Sequence, residues 1–192
     1  MVEWPIEAFR ASPSARSIVV ACPPGHVHDF GGHDLRVVPG GATRAASVAN
    51  ALEAVGTELV AIHDAARPLV TPDLIEGVVA TLIADPDASG AIAATPVTDT
   101  IKQAGEGPSA VVETTLDRGR LWAAQTPQVF RTELLRAALE KARAEGRSGT
   151  DCAQLVEALG VAVRVVPGDA DNWKITDAAD LDAAARALEA RR

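Results

Sequence analysis

The sequence contains few cysteines, few aromatic residues and no long apolar run. Its only cysteines, Cys22 and Cys152, are far apart and belong to no CxxC pair or Cys/His cluster, which excludes a disulfide scaffold and a structural zinc site. No run approaches the roughly 20 apolar residues that a bilayer crossing needs, and the first ten residues lack the basic start and apolar core of a signal peptide. The cytoplasm is therefore the default location, with no membrane partner.

Basic residues are outnumbered as well. The chain has 18 Lys and Arg against 26 Asp and Glu, a net charge of −8, and only 3% aromatic residues with no tyrosine. Such a composition offers few cationic or stacking surfaces, so we expect no nucleic-acid partner. An anionic small ligand would need a local cluster of cations that works against the overall negative field.

The remaining composition is that of one globular domain over residues 1–192, with 47% apolar and 23% charged residues. Short β-branched runs alternate with helical periodicity, which predicts an α/β fold around a mostly parallel sheet. Strands are predicted at residues 17–21, 35–38, 59–62, 90–97 and 161–166, with 59–62 the clearest central strand. Helices are predicted to start at residues 43 and 71 and to cover 131–145, 150–159 and 177–191.

The stretch at about 99–130 breaks this alternation. Gly105, Gly107 and Pro108 predict a turn, residues 110–114 are typical of an extended segment, and no helical face is present. We interpret the stretch as a β-arm or hairpin that leaves the main sheet.

Two segments are the strongest candidates for chemistry. PGGATRAASV, at 39–48, is a glycine turn that runs into a helix, where backbone N–H groups and the positive helix end favour an anion. LVAIHDAARP, at 59–68, places His63, Asp64 and Arg67 directly after a strand, where open α/β sheets collect ligands. The alternatives are a tight βα turn for the first and, for the second, a turn capped by Asp64 beside a buried imidazole of His63.

Three further segments are weaker by themselves. TPVTDTIK at 95–102 has hydroxyls and a lysine, DRGRLWAAQTPQ at 117–128 has two arginines that could bind a phosphate, and DNWKIT at 171–176 holds Lys174 between two apolar residues. Ordinary turn residues, solvated arginines and a lysine that reaches solvent are the respective alternatives.

Taken in order, GGATRAASV, HDAARP, PVTDTIK, DRGRLWAAQTPQVF, GTDCAQLVEALG and DNWKIT closely resemble the 2-C-methyl-D-erythritol 4-phosphate cytidylyltransferases of non-mevalonate isoprenoid biosynthesis. The resemblance runs from about residue 3 to the C-terminus. It implies a Rossmann-like nucleotidyltransferase fold, with a mostly parallel sheet, helices on both faces and a protruding β-arm at about 99–130 that exchanges between the subunits of a homodimer.

The resemblance also implies a reaction in which CTP and methylerythritol phosphate give the CDP-alcohol and pyrophosphate, with Mg²⁺ bound mainly through CTP. The nucleophile is a phosphate monoester whose second pKa of about 6 leaves it mostly dianionic, so no general base is needed. Because one anion attacks another, cations should dominate the site. Alternatives are a cytidylyltransferase for another polyol phosphate such as ribitol 5-phosphate, or an inactive dimeric binding module.

Site residues follow from the same resemblance. It implies that Lys174 and Arg118, the latter from the partner subunit, position the methylerythritol phosphate. It implies that the polyol and phosphate site is lined by Asp64, Arg67, Thr100 and Thr126. It implies that the cytidine is held near Gly40, Gly41, Ser47 and Ala65. No metal ligand is assigned, although Asp64 is a candidate, and Ala42 replaces an acidic residue that many relatives carry.

One departure concerns the start of the sequence. The family opens with a strand and a glycine-rich loop with an arginine and a lysine that wrap the triphosphate, whereas this sequence starts at Met1-Val2-Glu3-Trp4, where relatives are already in the following helix. The absent strand would lie in the middle of the sheet, and each backbone group left unpaired and buried there would cost about 1–3 kcal/mol. We therefore expect the parent protein to have the loop, and weak or absent CTP turnover from a chain without it.

Overall fold

A computed structural model describes residues 2–27, 30, 35–107 and 109–191. Its strands are β1 (Ile18–Cys22), β2 (Leu35–Pro39), β3 (Leu59–Ile62), β4 (Ala88–Pro96), β5 (Lys102–Ala104), β6 (Val112–Thr115), β7 (Trp122–Arg131) and β8 (Ala162–Pro167). Its helices are α1 (Glu3–Ala11), α2 (Arg44–Leu52), α3 (Pro72–Ala84), α4 (Thr132–Ala144), α5 (Cys152–Glu157) and α6 (Ala178–Ala190). The predicted strands and helices are confirmed, with α5 shorter than expected, whereas periodicity had not predicted α1.

Two threonines begin helices as the sequence predicted. The Thr43 hydroxyl accepts the N–H of Ala46 at 3.1 Å at the start of α2, and the Thr71 hydroxyl accepts the N–H of Leu74 at 3.3 Å at the start of α3. Each satisfies a backbone donor that the first helical turn leaves free. The side chains before α2 and α3 therefore fix where the loops at the sheet edge end.

The main sheet has four strands in the order β3-β7-β4-β8. Strand β7 is antiparallel to both of its neighbours, and β4 pairs with β8 in parallel, so β3, β4 and β8 all run in one direction. The carboxyl ends of these three strands consequently meet at one edge of the sheet.

The stretch at 99–130 is divided between two structures. Strands β5 and β6 pair only with each other as an antiparallel hairpin, termed here the arm (residues 102–115), whereas β7 lies inside the main sheet. The expected arm boundary at residue 130 is therefore corrected. The sequence of β7 is WAAQTPQVFR, with three polar side chains and a proline in its middle. Such a pattern is not typical of a buried strand, so the sequence did not predict one here. Pro108 lies outside the described residues.

Helices cover both faces of the main sheet. On one face, Ile92 and Phe130 pack with side chains of α2, α4 and α5, and Leu135 of α4 is fully buried there. On the other, Ala91 and Ala93 pack against Val78 of α3. Successive residues of β4 point to opposite faces, as the pleat requires. No helix among the described residues is long and apolar enough to cross a membrane.

Strands β1 and β2 form a separate parallel pair. A cavity of about 720 Å³ lies between them and β3, with side chains of α1 and α2 also in its wall. Within the described residues β3 is therefore hydrogen-bonded on one side only, which corrects its predicted place in the centre of the sheet. At one end the cavity reaches Arg44, Asp64 and Lys174.

Candidate active site

Asp64 lies two residues after the end of β3 and carries two ion pairs. Its Oδ1 atom accepts from the Nε and Nη2 atoms of Arg44, both at 3.0 Å, and its Oδ2 atom lies 3.1 Å from Nζ of Lys174. These side chains come from the end of β3, the start of α2 and the loop after β8. Burial opposes ionisation of the carboxyl, but the two cations outweigh it and hold the pKa of Asp64 below its ordinary value. Asp64 is therefore a carboxylate at neutral pH.

A chain of hydrogen bonds lies behind Asp64. Its backbone N–H donates to Thr126 Oγ1 at 3.1 Å, and this hydroxyl lies 3.0 Å from Nδ1 of His63. The other ring nitrogen, Nε2, lies 3.0 Å from the Arg67 carbonyl oxygen, which can only accept. His63 therefore carries its proton on Nε2, and Thr126 donates to Nδ1. Burial lowers the pKa of His63 to about 4, so its ring is neutral at pH 7.

The loop that carries Lys174 is fixed on both sides. Asn172 is completely buried, and its Nδ2 atom donates to the Thr126 carbonyl at 2.8 Å. The Arg67 Nη1 atom donates to the Asn172 carbonyl at 2.7 Å, and the Ile175 N–H donates to the Ala66 carbonyl at 2.8 Å. The ammonium group of Lys174 is thereby aimed at the sheet edge, although its side chain is 47% exposed.

Five side chains thus converge at this edge of the sheet, and they are termed the Asp64 cluster: Arg44, Asp64, Arg67, Thr126 and Lys174. Two of its three cations pair with the one carboxylate, and the third, Arg67, acts on it through its charge, so the cluster is positively charged in a chain whose overall charge is −8. This local excess is what a phosphorylated ligand requires.

The glycine turn lies beside the cluster and is packed tightly. The Gly40 N–H donates to the Cys22 carbonyl at 2.7 Å, and a Cβ on Gly41 would lie 2.4 Å from the Cβ of Ala46. The Ser47 hydroxyl accepts from the Gly41 N–H and donates to the Thr43 carbonyl, both at 3.0 Å. The glycines are therefore needed for the turn itself, and Ser47 is oriented by it. Ser47 and the exposed Ala65 both line the cavity.

Two of the predicted site residues lie apart from the cluster. Arg118 is in a short 3-10 helix, Arg118–Arg120, after the arm, and its Nη1 atom donates to the Thr98 carbonyl at 2.6 Å. Thr100 is exposed just before the arm. Among the described residues neither side chain forms a hydrogen bond or an ion pair with the Asp64 cluster. A single chain therefore assembles Asp64, Arg67, Thr126 and Lys174, but neither Arg118 nor Thr100.

Sequence reasoning missed Arg44 and Asn172. Arg44 stands inside the glycine motif, and its cationic side chain at the first helical position was the available signal. Asn172 stands inside the segment of Lys174, where an amide between aspartate and tryptophan is easily taken for a turn residue. Both act by holding other groups of the cluster.

Among residues 2–27, 30, 35–107 and 109–191, Asp64 is the one carboxylate that pairs with the cations of the cluster. The described residues contain no group of three or more His, Cys, Asp or Glu side chains that could hold a metal ion, and both Asp64 oxygens are in ion pairs. This donor set fits a metal ion that is carried mainly by phosphate oxygens of a ligand.

Solved structures with the same fold define the class of the protein. A 2-C-methyl-D-erythritol 4-phosphate cytidylyltransferase from Thermus thermophilus is 40% identical, with a TM-score of 0.81 over 96% of this chain and 88% of the other. A 4-diphosphocytidyl-2C-methyl-D-erythritol synthase from Anaerococcus prevotii gives a TM-score of 0.85 at 28% identity, over 98% of this chain and 85% of the other. The chain has a Rossmann-like nucleotidyltransferase fold.

Its sequence relatives then give the family. A model of the 2-C-methyl-D-erythritol 4-phosphate cytidylyltransferase family matches residues 1–190, and the chain belongs to this family. An enzyme of that name from Symbiobacterium thermophilum is 49% identical over 156 residues, which are 80% of this chain and 64% of that protein. Another from Acidobacterium capsulatum is 42% identical over 198 residues, which are 97% of this chain and 82% of that protein. The chain thus spans about two thirds and four fifths of these two relatives.

Proposed function

We propose that this protein transfers a cytidylyl group from CTP to 2-C-methyl-D-erythritol 4-phosphate and releases pyrophosphate. Family membership supports the reaction. The observation that carries the proposal is the Asp64 cluster, in which Arg44 and Lys174 both pair with one carboxylate at the carboxyl ends of β3 and β8, and the positive charge of Arg67 lies near enough to act on it. A positively charged site of this kind lets two phosphorylated reactants approach each other.

The chemistry needs no protein base. A phosphate oxygen of the methylerythritol 4-phosphate dianion attacks the α-phosphorus of CTP, the bond from that phosphorus to the oxygen bridging to the β-phosphorus breaks, and pyrophosphate leaves with the electron pair. The chain therefore contributes position and positive charge rather than proton transfer. The neutral, internally hydrogen-bonded ring of His63 is consistent with this, since its lone pair already accepts from Thr126.

Each predicted residue has a place in this proposal. Lys174 is half exposed at the mouth of the cluster and would bind the phosphate of the alcohol, with Asp64 and Arg67 beside it. Thr126 is buried and would hold the Asp64 backbone. Ser47 and Ala65 border the cavity, and the turn of Gly40 and Gly41 is hydrogen-bonded to Ser47; these four residues would form the cytidine side of the site.

Three finer parts of the proposal concern a metal ion, a second subunit and the cellular location. Mg²⁺ bound to the CTP phosphates would neutralise charge on the leaving pyrophosphate. Arg118 and Thr100, which lie away from the cluster of their own chain, would reach the cluster of a second subunit in a homodimer with exchanged arms. The cytoplasmic location stays a prediction.

A coupled assay of pyrophosphate release tests the reaction. The full-length parent protein is given CTP, Mg²⁺ and either methylerythritol 4-phosphate or ribitol 5-phosphate, and the nucleotide product is identified by mass spectrometry. Release with methylerythritol 4-phosphate alone, lost when the metal is chelated, is expected. Preference for ribitol 5-phosphate, or no release together with no calorimetric binding of CTP and Mg²⁺, would overturn the proposal.

A further inference from the structure

Arg44 is the most constrained cation of the Asp64 cluster. It is the first residue of α2, directly after the Thr43 cap, and its side chain is 33% exposed. All three guanidinium nitrogens have partners: Nε and Nη2 contact Asp64 Oδ1, both at 3.0 Å, and Nη1 lies 3.3 Å from the Cys152 sulfur. Burial raises the pKa of the Cys152 thiol, so the sulfur stays neutral and the charge of Arg44 is balanced by Asp64 alone.

Lys174 is held much more loosely. Within the part of the chain that the structure describes, its Nζ atom has a single polar contact, with Asp64 Oδ2 at 3.1 Å, and its side chain is 47% exposed. The two cations use different oxygens of the carboxylate, so Lys174 can move away while the contact between Arg44 and Oδ1 stays intact. An ammonium group on a flexible stem also adapts to a new anion more readily than a guanidinium fixed at three nitrogens.

The two sides of the site meet in this ion pair. Arg44 belongs to the helix after β2, whereas Asp64 follows β3, and β1 with β2 is separated from β3 by the cavity. The Asp64 carboxylate is therefore fixed by Arg44 from across the cavity, and the Asp64 backbone is fixed by the bond that its N–H donates to Thr126.

We propose that Arg44 is a positioning residue: it holds the Asp64 carboxylate in place and charged, so that Lys174 can exchange Asp64 for the substrate phosphate. The inference rests on the proposed function for the identity of that phosphate. Without Arg44, Lys174 would be the remaining close cation of a half-buried carboxylate and would stay paired with it. Phosphate binding would then weaken more than the chemical step.

The test compares Arg44→Gln, which removes the charge, with Arg44→Lys, which keeps the charge and loses the three-nitrogen contact. Arg131→Gln is the matched control, because Arg131 also pairs with an acid, Glu58, at 3.2 Å, but at the opposite end of β3. Cys152→Ala removes only the contact with the neutral sulfur. Two quantities are measured: steady-state kinetics with methylerythritol 4-phosphate, and the Asp64 carboxyl pKa by carbon NMR, with the signal assigned through Asp64→Asn.

Arg44→Gln should raise the KM for methylerythritol 4-phosphate about tenfold or more, with a smaller change in kcat, as expected for lost positioning of a binding group. The Asp64 pKa should rise at the same time. Arg44→Lys should lie between the wild type and Arg44→Gln in both quantities, Cys152→Ala should change KM by less than about threefold, and Arg131→Gln should match the wild type.

Two results would overturn the inference. One is an unchanged Asp64 pKa in Arg44→Gln with kcat strongly reduced, which would make Arg44 itself a ligand of the reacting groups. The other is no change in either quantity. If the wild-type protein shows no turnover, the proposed function fails, while the Asp64 titration in Arg44→Gln and Arg44→Lys still decides whether Arg44 holds the carboxylate. Arg44→Lys serves as the test if Arg44→Gln does not fold.

Discussion

The Asp64 cluster and the arm are built in opposite ways. Every member of the cluster contacts another element of the same chain. Thr126, which belongs to the cluster, and Asn172, which lies behind it, are buried. The side chains of β5 and β6 are all exposed, and Val111 and Val112 near the tip are 78% and 53% exposed. One region is thus preorganised within a single chain, whereas the other presents apolar and charged side chains outward.

We expect the free energy of unfolding to depend on the core beneath the Asp64 cluster much more than on the arm. Phe130 is fully buried in β7, so Phe130→Ala should lower the free energy of unfolding by about 3–5 kcal/mol, whereas Val112→Ala in the arm should change it by less than about 0.5 kcal/mol. Chemical denaturation of both variants measures this. Equal losses would show that the arm is part of the folded core.

Turnover should depend on the cluster and on Arg118, which follows the arm and is proposed to act from the partner subunit. Lys174→Ala and Arg118→Ala should each reduce kcat/KM by roughly 100-fold to 1,000-fold, with little change in stability, because both side chains are exposed and are proposed to bind substrate phosphates. In a mixture of the two variants, a site with Lys174 from one subunit and Arg118 from the other would be intact.

That mixture gives the sharper result. If arms are exchanged, random mixing should restore about a quarter of wild-type activity, because half of the dimers are mixed and each has one complete site of two. Recovery is measured after the variants are unfolded and refolded together, with separately refolded variants as the control. No recovery would place Arg118 and Lys174 of one chain in the same site.

Acid should lower the folding stability of the protein through protonation of His63, which lies behind the Asp64 cluster. Its pKa is about 4 in the folded protein and 6.5 ordinarily, so below pH 6.5 the unfolded chain binds the proton first and folding stability falls until about pH 4. The slope should approach but not exceed about 1.4 kcal/mol per pH unit. Urea unfolding across this range measures the effect, and His63→Gln should flatten the curve. A wild-type curve that is already flat would contradict the buried neutral ring.

Two glycines allow the main sheet and the arm to be compared by the addition of a single methyl group. A Cβ at Gly90 in β4 would lie 2.5 Å from Phe130 Cδ1, whereas a Cβ at Gly105 in the arm would meet only the Glu113 carboxylate at 3.8 Å. Gly90→Ala should therefore cost about 1–3 kcal/mol of unfolding free energy, and Gly105→Ala almost nothing. Thermal unfolding of the pair checks this, and a tolerated Gly90→Ala would show that Phe130 can move aside.

Local patterns were sufficient for most helices and strands. Some features depend only on neighbouring residues, so they can be predicted without knowing the fold. These are the threonine caps of α2 and α3, the apolar run of β3 and the helical faces of α4 and α6. Strand β7 was not predicted, because its polar residues Gln125, Thr126 and Gln128 did not indicate a buried strand. They are buried there with hydrogen-bond partners far along the chain, including Asp151 and Asn172. No local pattern contains those partners.

The same limit applies to the candidate site. Strand ends, glycines and an aspartate next to a histidine marked Asp64 and its neighbours, and the order of the motifs indicated the family. Turn chemistry and hydrophobic periodicity are local properties, so the order of the amino acids was enough to predict the elements and the kinds of side chain in the site. The packing of distant segments was needed to show that Arg44 and Lys174 take separate oxygens of Asp64, and that Arg118 lies apart from them. Ion pairs between residues 20 and 110 positions apart depend on how strands are ordered, which the pattern of one segment does not contain.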